Sequence, residues 1–165
     1  MKYRLRNRDM SQQLQILLMA ALPVLEVRAA LPTAIAAFGM PAGEALFFSV
    51  IGSLIPAPII LWLTPKCVAW TQKHWPATHR FIERYFHHLK HKHHERFERL
   101  GALALAAFVA VPLPGMGVWT GALLAVLFDI RPAYSIPAII GGAIAAGVIV
   151  LLITQGTLGA LSFLL

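Results

Sequence analysis

No aspartate, glutamate, lysine or arginine occurs in residues 45–65, 100–128 or 132–165. Each run exceeds the roughly 18 to 20 apolar residues that carry a helix across a hydrocarbon core. With no water at that depth the backbone must satisfy its own hydrogen bonds, as a helix does. The chain is 165 residues long and only 13% charged, against about 25% in soluble domains. These runs predict an all-α, polytopic membrane protein forming a single membrane domain over residues 1–165.

The formal net charge of +7 would suggest nucleic acid in a soluble protein. Its placement says otherwise. Lys2, Arg4, Arg6 and Arg8 form the amino terminus, and eight more basic residues lie between Lys66 and Arg99. Positive charge beside spans marks the cytoplasmic side and attracts anionic lipid headgroups at about 1 kcal/mol each. Membrane lipid is therefore the expected partner of the basic segments. The single cysteine, Cys67, excludes an intramolecular disulfide and a cysteine-based metal site. A basic start followed by residues 14–25 has the outline of a signal peptide. Glu26 and Arg28 spoil its small-residue cleavage region, so the segment is read as retained.

The first apolar segment, residues 14–40, is too long for one untilted span. Pro23 and Pro32 divide it, because the residue before a proline is biased away from helix. Two short helices with an irregular middle are expected, then a turn at Gly39, Pro41 and Gly43. A full span over residues 45–64 follows, kinked around Pro56 and Pro58. Residues 66–99 change character. Phe81, Ile82, Tyr85, Phe86 and Leu89 recur at helical spacing among charges and histidines, as in an interfacial amphipathic helix. Residues 100–128 repeat the first design: a helix to Val111, an irregular PLPGMG stretch, and a helix over residues 118–128. A polar turn over residues 129–132 leads to a last span over residues 134–154 and an apolar tail.

The chain thus reads as two similar halves, residues 1–65 and 100–165, joined by the basic loop of residues 66–99. Each is a broken or re-entrant segment followed by a continuous helix, a common plan of transporters. In a register of about 90 residues Phe38 aligns with Phe128 and Gly52 with Gly142. The topology has two solutions. If both basic segments are cytoplasmic, the first broken segment is a true span. If that segment is a re-entrant hairpin, the halves are inverted and the basic segments lie on opposite sides.

Glu26 and Arg28 lie within the first broken segment. Ionisable groups at bilayer depth are expensive and usually face a partner or a watery cavity. Two apart on a regular helix they would point away from each other, so an ion pair requires distorted backbone. Burial and Arg28 act in opposite senses on the proton affinity of Glu26, which leaves it tunable as a group that takes up and releases a proton or binds a cationic group. Arg28 has the planar fork that binds an anionic group such as phosphate. The bland alternative is a structural pair that locks the break, or side chains that snorkel toward the surface.

PLPGMGVWTG supplies no titratable group. Pro112, Pro114, Gly115 and Gly117 break the helix and free backbone amides and carbonyls to face a substrate or ion. Trp119 and Thr120 add an aromatic face and a hydroxyl. Gly117 and Gly121 also have the spacing of a small-residue helix interface. His74, His79, His87, His88, His91, His93 and His94 cluster in the loop, and His87, His91 and His94 could share a helix face. Neighbouring lysines would repel a cation, so a headgroup-facing helix is the stronger reading and no metal is assigned. Glu44, Asp129 and Arg131 read as boundary charges at turns. No phosphate-binding glycine loop, catalytic triad or zinc-protease motif is present, so no enzymatic activity and no cofactor is expected.

In P-x-L-E-x-R-A-A-x-P, here residues 23–32, and P-L-P-G-x-G-x-W-T-G, here residues 112–121, the chain resembles the small multidrug export protein family of bacterial membrane proteins. Met116 stands where that family's pattern has a small polar residue. The plan also resembles that of DedA-type membrane proteins, which pair broken intramembrane segments and are associated with lipid-carrier translocation. The resemblance implies a multi-pass protein of the bacterial inner membrane that exports small amphiphilic molecules, with Glu26 and Arg28 at its working centre. A translocase of phosphorylated lipid carriers is the nearest alternative; an adaptor binding lipid or partners through its basic loop is a more distant one. So few membrane segments are expected to need a homodimer to enclose a pathway.

Overall fold

The computed structural model describes residues 2–74 and 94–164, with no strand among them. Seven helices follow in order: α1 (Lys2–Ala21), α2 (Glu26–Ala36), α3 (Ala42–Leu54), α4 (Pro56–His74), α5 (His94–Ala110), α6 (Val118–Leu127) and α7 (Pro132–Leu164). The amphipathic helix expected around Phe81–Leu89, and His79, His87, His88, His91 and His93, lie outside the described residues.

Local chemistry accounts for the interruptions. The first break is residues 22–25, around Pro23, where the Leu22 N–H reaches back to the Met19 carbonyl at 3.2 Å. The second is residues 111–117, containing Pro112 and Pro114, with Gly115 at φ +83°. Pro32 does not break the chain as expected; it lies inside α2. An interior proline loses one helical hydrogen bond and crowds the preceding turn, at about 3 kcal/mol. Burial of Val27, Ala30, Leu31 and Ala34 on the same short helix offsets that cost. The kink expected near Pro56 and Pro58 is the α3–α4 junction at Ile55, and Pro56 opens α4, where its missing N–H is no loss. The apolar tail simply extends α7 to Leu164.

Contacts fix the helix directions. The Gln13 side-chain amide donates to Glu44 Oε1. A Cβ on Gly52 would lie 2.5 Å from the Leu17 carbonyl oxygen and 2.7 Å from Ala20 Cβ. Positions 13 to 20 of α1 therefore run beside positions 44 to 52 of α3 in the same direction, and α2 returns between them. In the second part of the chain, a Cβ on Gly101 would lie 3.5 Å from Ile130 Cδ1, and one on Gly142 would meet the Ala106 carbonyl oxygen and Val109 Cβ at 2.7 Å. So α5 and α7 also run together, and α6 returns. A Cβ on Gly147 would touch Leu46 and Val50, whereas Ser53 faces Ala143 and Ala146 across a cavity. Hence α3 and α7 run in opposite directions. α2 packs on α7, and α6 packs on α4.

The turns that follow α2 and α6 are also alike. Gly39 has φ +64°, and the Met40 N–H bonds the Ala34 carbonyl at 2.9 Å. Asp129 has φ +54°, and the Ile130 N–H bonds the Ala125 carbonyl at 2.9 Å. Both use a left-handed residue to satisfy carbonyls at a helix end.

The core is built of Val27, Leu31, Val109, Ala122, Ile139 and Ala146, extended by Ile16, Ala30 and Ala34. Outward faces are just as apolar: Ile136, Ile140, Ile144, Val148 and Leu152 form an exposed stripe along α7, and Phe47, Ile51, Ile55 and Ile59 one along α3 and α4. A soluble monomer rarely exposes such continuous apolar surface. Ala42–Cys67 and Pro132–Thr157 are long and apolar enough to cross a membrane. Lipid is the solvent for these faces.

Candidate functional site

The two breaks meet. Residues 22–26 close α1 and open α2; residues 111–118 close α5 and open α6, and the contact between them spans 93 positions of sequence. The Glu26 side chain crosses the junction. The Trp119 backbone N–H donates to Glu26 Oε1 at 3.3 Å, and the Val118 N–H faces the same carboxylate. The Trp119 indole N–H donates to the Ala21 carbonyl at 3.1 Å, tying the end of α1 to the start of α6.

This geometry follows from helix chemistry. The first N–H groups of a helix have no partner within it. Gly117, at the head of α6, has no side chain with which to cap them. Glu26 supplies the cap from another helix. A carboxylate at such a position gains up to about 2 kcal/mol from the helix dipole when partly buried. Gly117 is what permits it: a Cβ there would sit 1.9 Å from Glu26 Oε2.

Glu26 is 5% exposed and has φ +43°. A non-glycine residue in that region costs roughly 1–2 kcal/mol. An unpartnered buried carboxylate would cost several, so the strained backbone that brings the cap into register is the smaller penalty. The same distortion brings Arg28 Nη2 to 3.8 Å from Glu26 Oε2. The two side chains expected to diverge on a regular helix therefore make an ion contact, at the long end of the range. Arg28 Nε is buried with no hydrogen-bond partner.

A small cavity opens beside them, bounded by Glu26, Arg28, Ser53 and Gly117 and walled by Val109 and Ala143. It offers about 10 Å³ to the centre of a water molecule, which is room for one. Chemically the site holds one acid, one half-engaged guanidinium, one hydroxyl and the amino end of a helix.

Of the residues expected at the site, Glu26, Arg28, Gly117 and Trp119 come together. Pro23, Pro112, Pro114 and Gly115 shape the breaks that present them, and Pro32 takes no part in a break. The indole donor of Trp119 is committed to Ala21. Thr120 is half-buried one residue further into α6. Ser53 and the Ala21 carbonyl were not anticipated. Glu44, read as a boundary charge, bonds Gln13. Among the described residues no three ligating side chains gather.

Residues 26–149 match a family described as "putative small multi-drug export protein". The matched region begins at Glu26 and contains Arg28, the second break and Trp119, whereas Ala21 and the first break lie before it. No curated protein and no solved structure matches the chain.

Proposed function

The chain belongs to the small multi-drug export protein family, and we propose that it is a multi-pass exporter of small amphiphilic molecules in the bacterial inner membrane. Its pathway centres on the junction of the two breaks. α1–α2 and α5–α6 are re-entrant hairpins, entering from opposite faces and meeting tip to tip, and the two parts of the chain are inverted repeats. What supports this is the run of helix directions: each hairpin returns beside a parallel partner, while α3 and α7 oppose each other. The alignment of Gly39 with Asp129 and of Gly52 with Gly142 supports it as well.

The observation that carries the reading is a buried carboxylate held across two intramembrane breaks rather than within one helix. Irregular backbone at depth is tolerated only where it is buried in protein or lines a cavity, and buried ionisable groups there belong to pathways and relays. Glu26 is the coupling group and Arg28 the group that orients substrate. The buried, unpartnered Arg28 Nε favours a second reading, a phosphate-bearing lipid as the transported molecule.

Purified protein in liposomes tests both readings. Substrate-driven proton flux supports export, and scrambling of a phosphorylated polyprenyl lipid supports the second. Each activity should fall at least tenfold in Glu26→Gln and Arg28→Ala variants that insert normally. Wild-type activity in both variants would leave the adaptor reading in its place.

A further inference from the structure

We infer that Glu26 is a removable cap: its charged carboxylate pins the start of α6 to the end of α1, and neutralising it frees α6 to swing away. The inference deepens the transport reading by naming the moving part, and it rests on that reading only for its consequence.

The site has the elements of a two-position switch. One carboxylate serves three claimants: Oε1 takes the Trp119 N–H, the Val118 N–H faces the same group, and Oε2 lies 3.8 Å from Arg28. Arg28 keeps a spare donor in Nε beside the carboxylate, and its attraction, like that of the helix dipole, favours the charged form. The helix being capped is short, ten residues, and enters from residues 111–117, a stretch with two prolines and Gly115 at φ +83°. Its head is held by the Glu26 cap and by the Trp119–Ala21 bond. Trp119 takes part in both holds, with the Val118 N–H beside it in the cap, so losing the cap loosens the Trp119–Ala21 bond.

Charge decides the cap because little else there is charged. Around Glu26, α3 offers Ser53, α5 Val109, α6 Gly117 and Val118, and α7 Ala143 and Ala146. Among the described residues Arg28 is the titratable group that acts on it. A neutral side chain at position 26 still accepts an N–H, but it gives up the attraction to the helix dipole and the gain from a charged acceptor. In the structure the carboxylate occupies its capping position.

The test uses full-length protein in nanodiscs without substrate. Trp62, Trp70 and Trp75 are changed to phenylalanine, which leaves Trp119 as the reporter, and acrylamide quenching is read between pH 8 and pH 4. The parent should be shielded at high pH and become accessible as pH falls. Glu26→Gln should be accessible throughout, its uncapped fraction raised about tenfold at pH 8, with the pH response gone. Quenching in Glu26→Gln equal to the parent at pH 8 overturns the cap, as does a pH response that survives the substitution. If Glu26→Gln does not insert, the parent's own titration decides: shielding that does not change with pH overturns the inference. Trp119 exposure that responds while no substrate moves would fault the transport reading and leave the cap intact.

Discussion

The first break is short and charged; the second is long and carries no charge. Residues 22–25 interrupt the chain with one proline and deliver Glu26 in a left-handed conformation. Residues 111–117 use two prolines and two glycines and deliver bare backbone N–H groups. Neither is complete alone. A carboxylate at depth needs donors, and a glycine-headed helix needs an acceptor. The difference between the breaks is therefore complementarity, and it explains how two broken helices satisfy their ends where they are buried against each other.

The sharpest way to break this comparison is to fill the space between the two. Gly117→Ala places a methyl where Glu26 Oε2 lies, and it should cost about 3 kcal/mol, as expected when a buried charge loses its partner. Glu26→Ala should cost a similar amount. Because both remove one interaction, the double variant should lose little more than either single, measured by reversible unfolding in mixed micelles. Additive losses would mean the breaks are stabilised separately.

The next effect compares the two close helix pairs. Gly52→Ala pushes a Cβ against the Leu17 carbonyl and Gly142→Ala against the Ala106 carbonyl. Backbone cannot swing aside, so each should cost about 1–3 kcal/mol. Gly141, with open space around it, is the control. Gly141→Ala should be neutral or slightly stabilising, since alanine is the better helix former by about 1 kcal/mol.

Smaller effects separate the prolines and the turns. Pro32→Ala should raise stability by up to about 1 kcal/mol by returning a helical donor, and should leave Trp119 quenching unchanged. Pro23→Ala should alter that quenching. At the first turn Gly39→Ala should lose about 0.5–1 kcal/mol, because the position has positive φ. Thermal unfolding in one detergent ranks all three.

Much of the segment plan was legible because prolines and glycines act locally. The expected helix over residues 118–128 is α6, Val118–Leu127, and the expected end at Val111 falls one residue beyond α5. Pro32 misled because the cost of an interior proline is fixed, while the packing that offsets it is tertiary. The Glu26–Arg28 contact was legible only as a condition, namely that the backbone be distorted. Nothing in the residue type at position 26 announces φ +43°. Least legible was the docking of Glu26 on Gly117. Gly117 and Gly121 read as one small-residue interface, yet Gly117 receives a carboxylate and Gly121 receives Val109. A missing side chain says that something approaches closely but not what approaches.

The central claim is that two hairpins enter from opposite faces and meet at Glu26 and Gly117. Sided labelling of single cysteines tests it most directly, using native Cys67 and, in a Cys67→Ser background, Lys2→Cys and Gly43→Cys. The account predicts that positions 2 and 43 react from one side of the membrane and position 67 from the other. Positions 2 and 43 reacting from opposite sides would make the first segment a true span and contradict it.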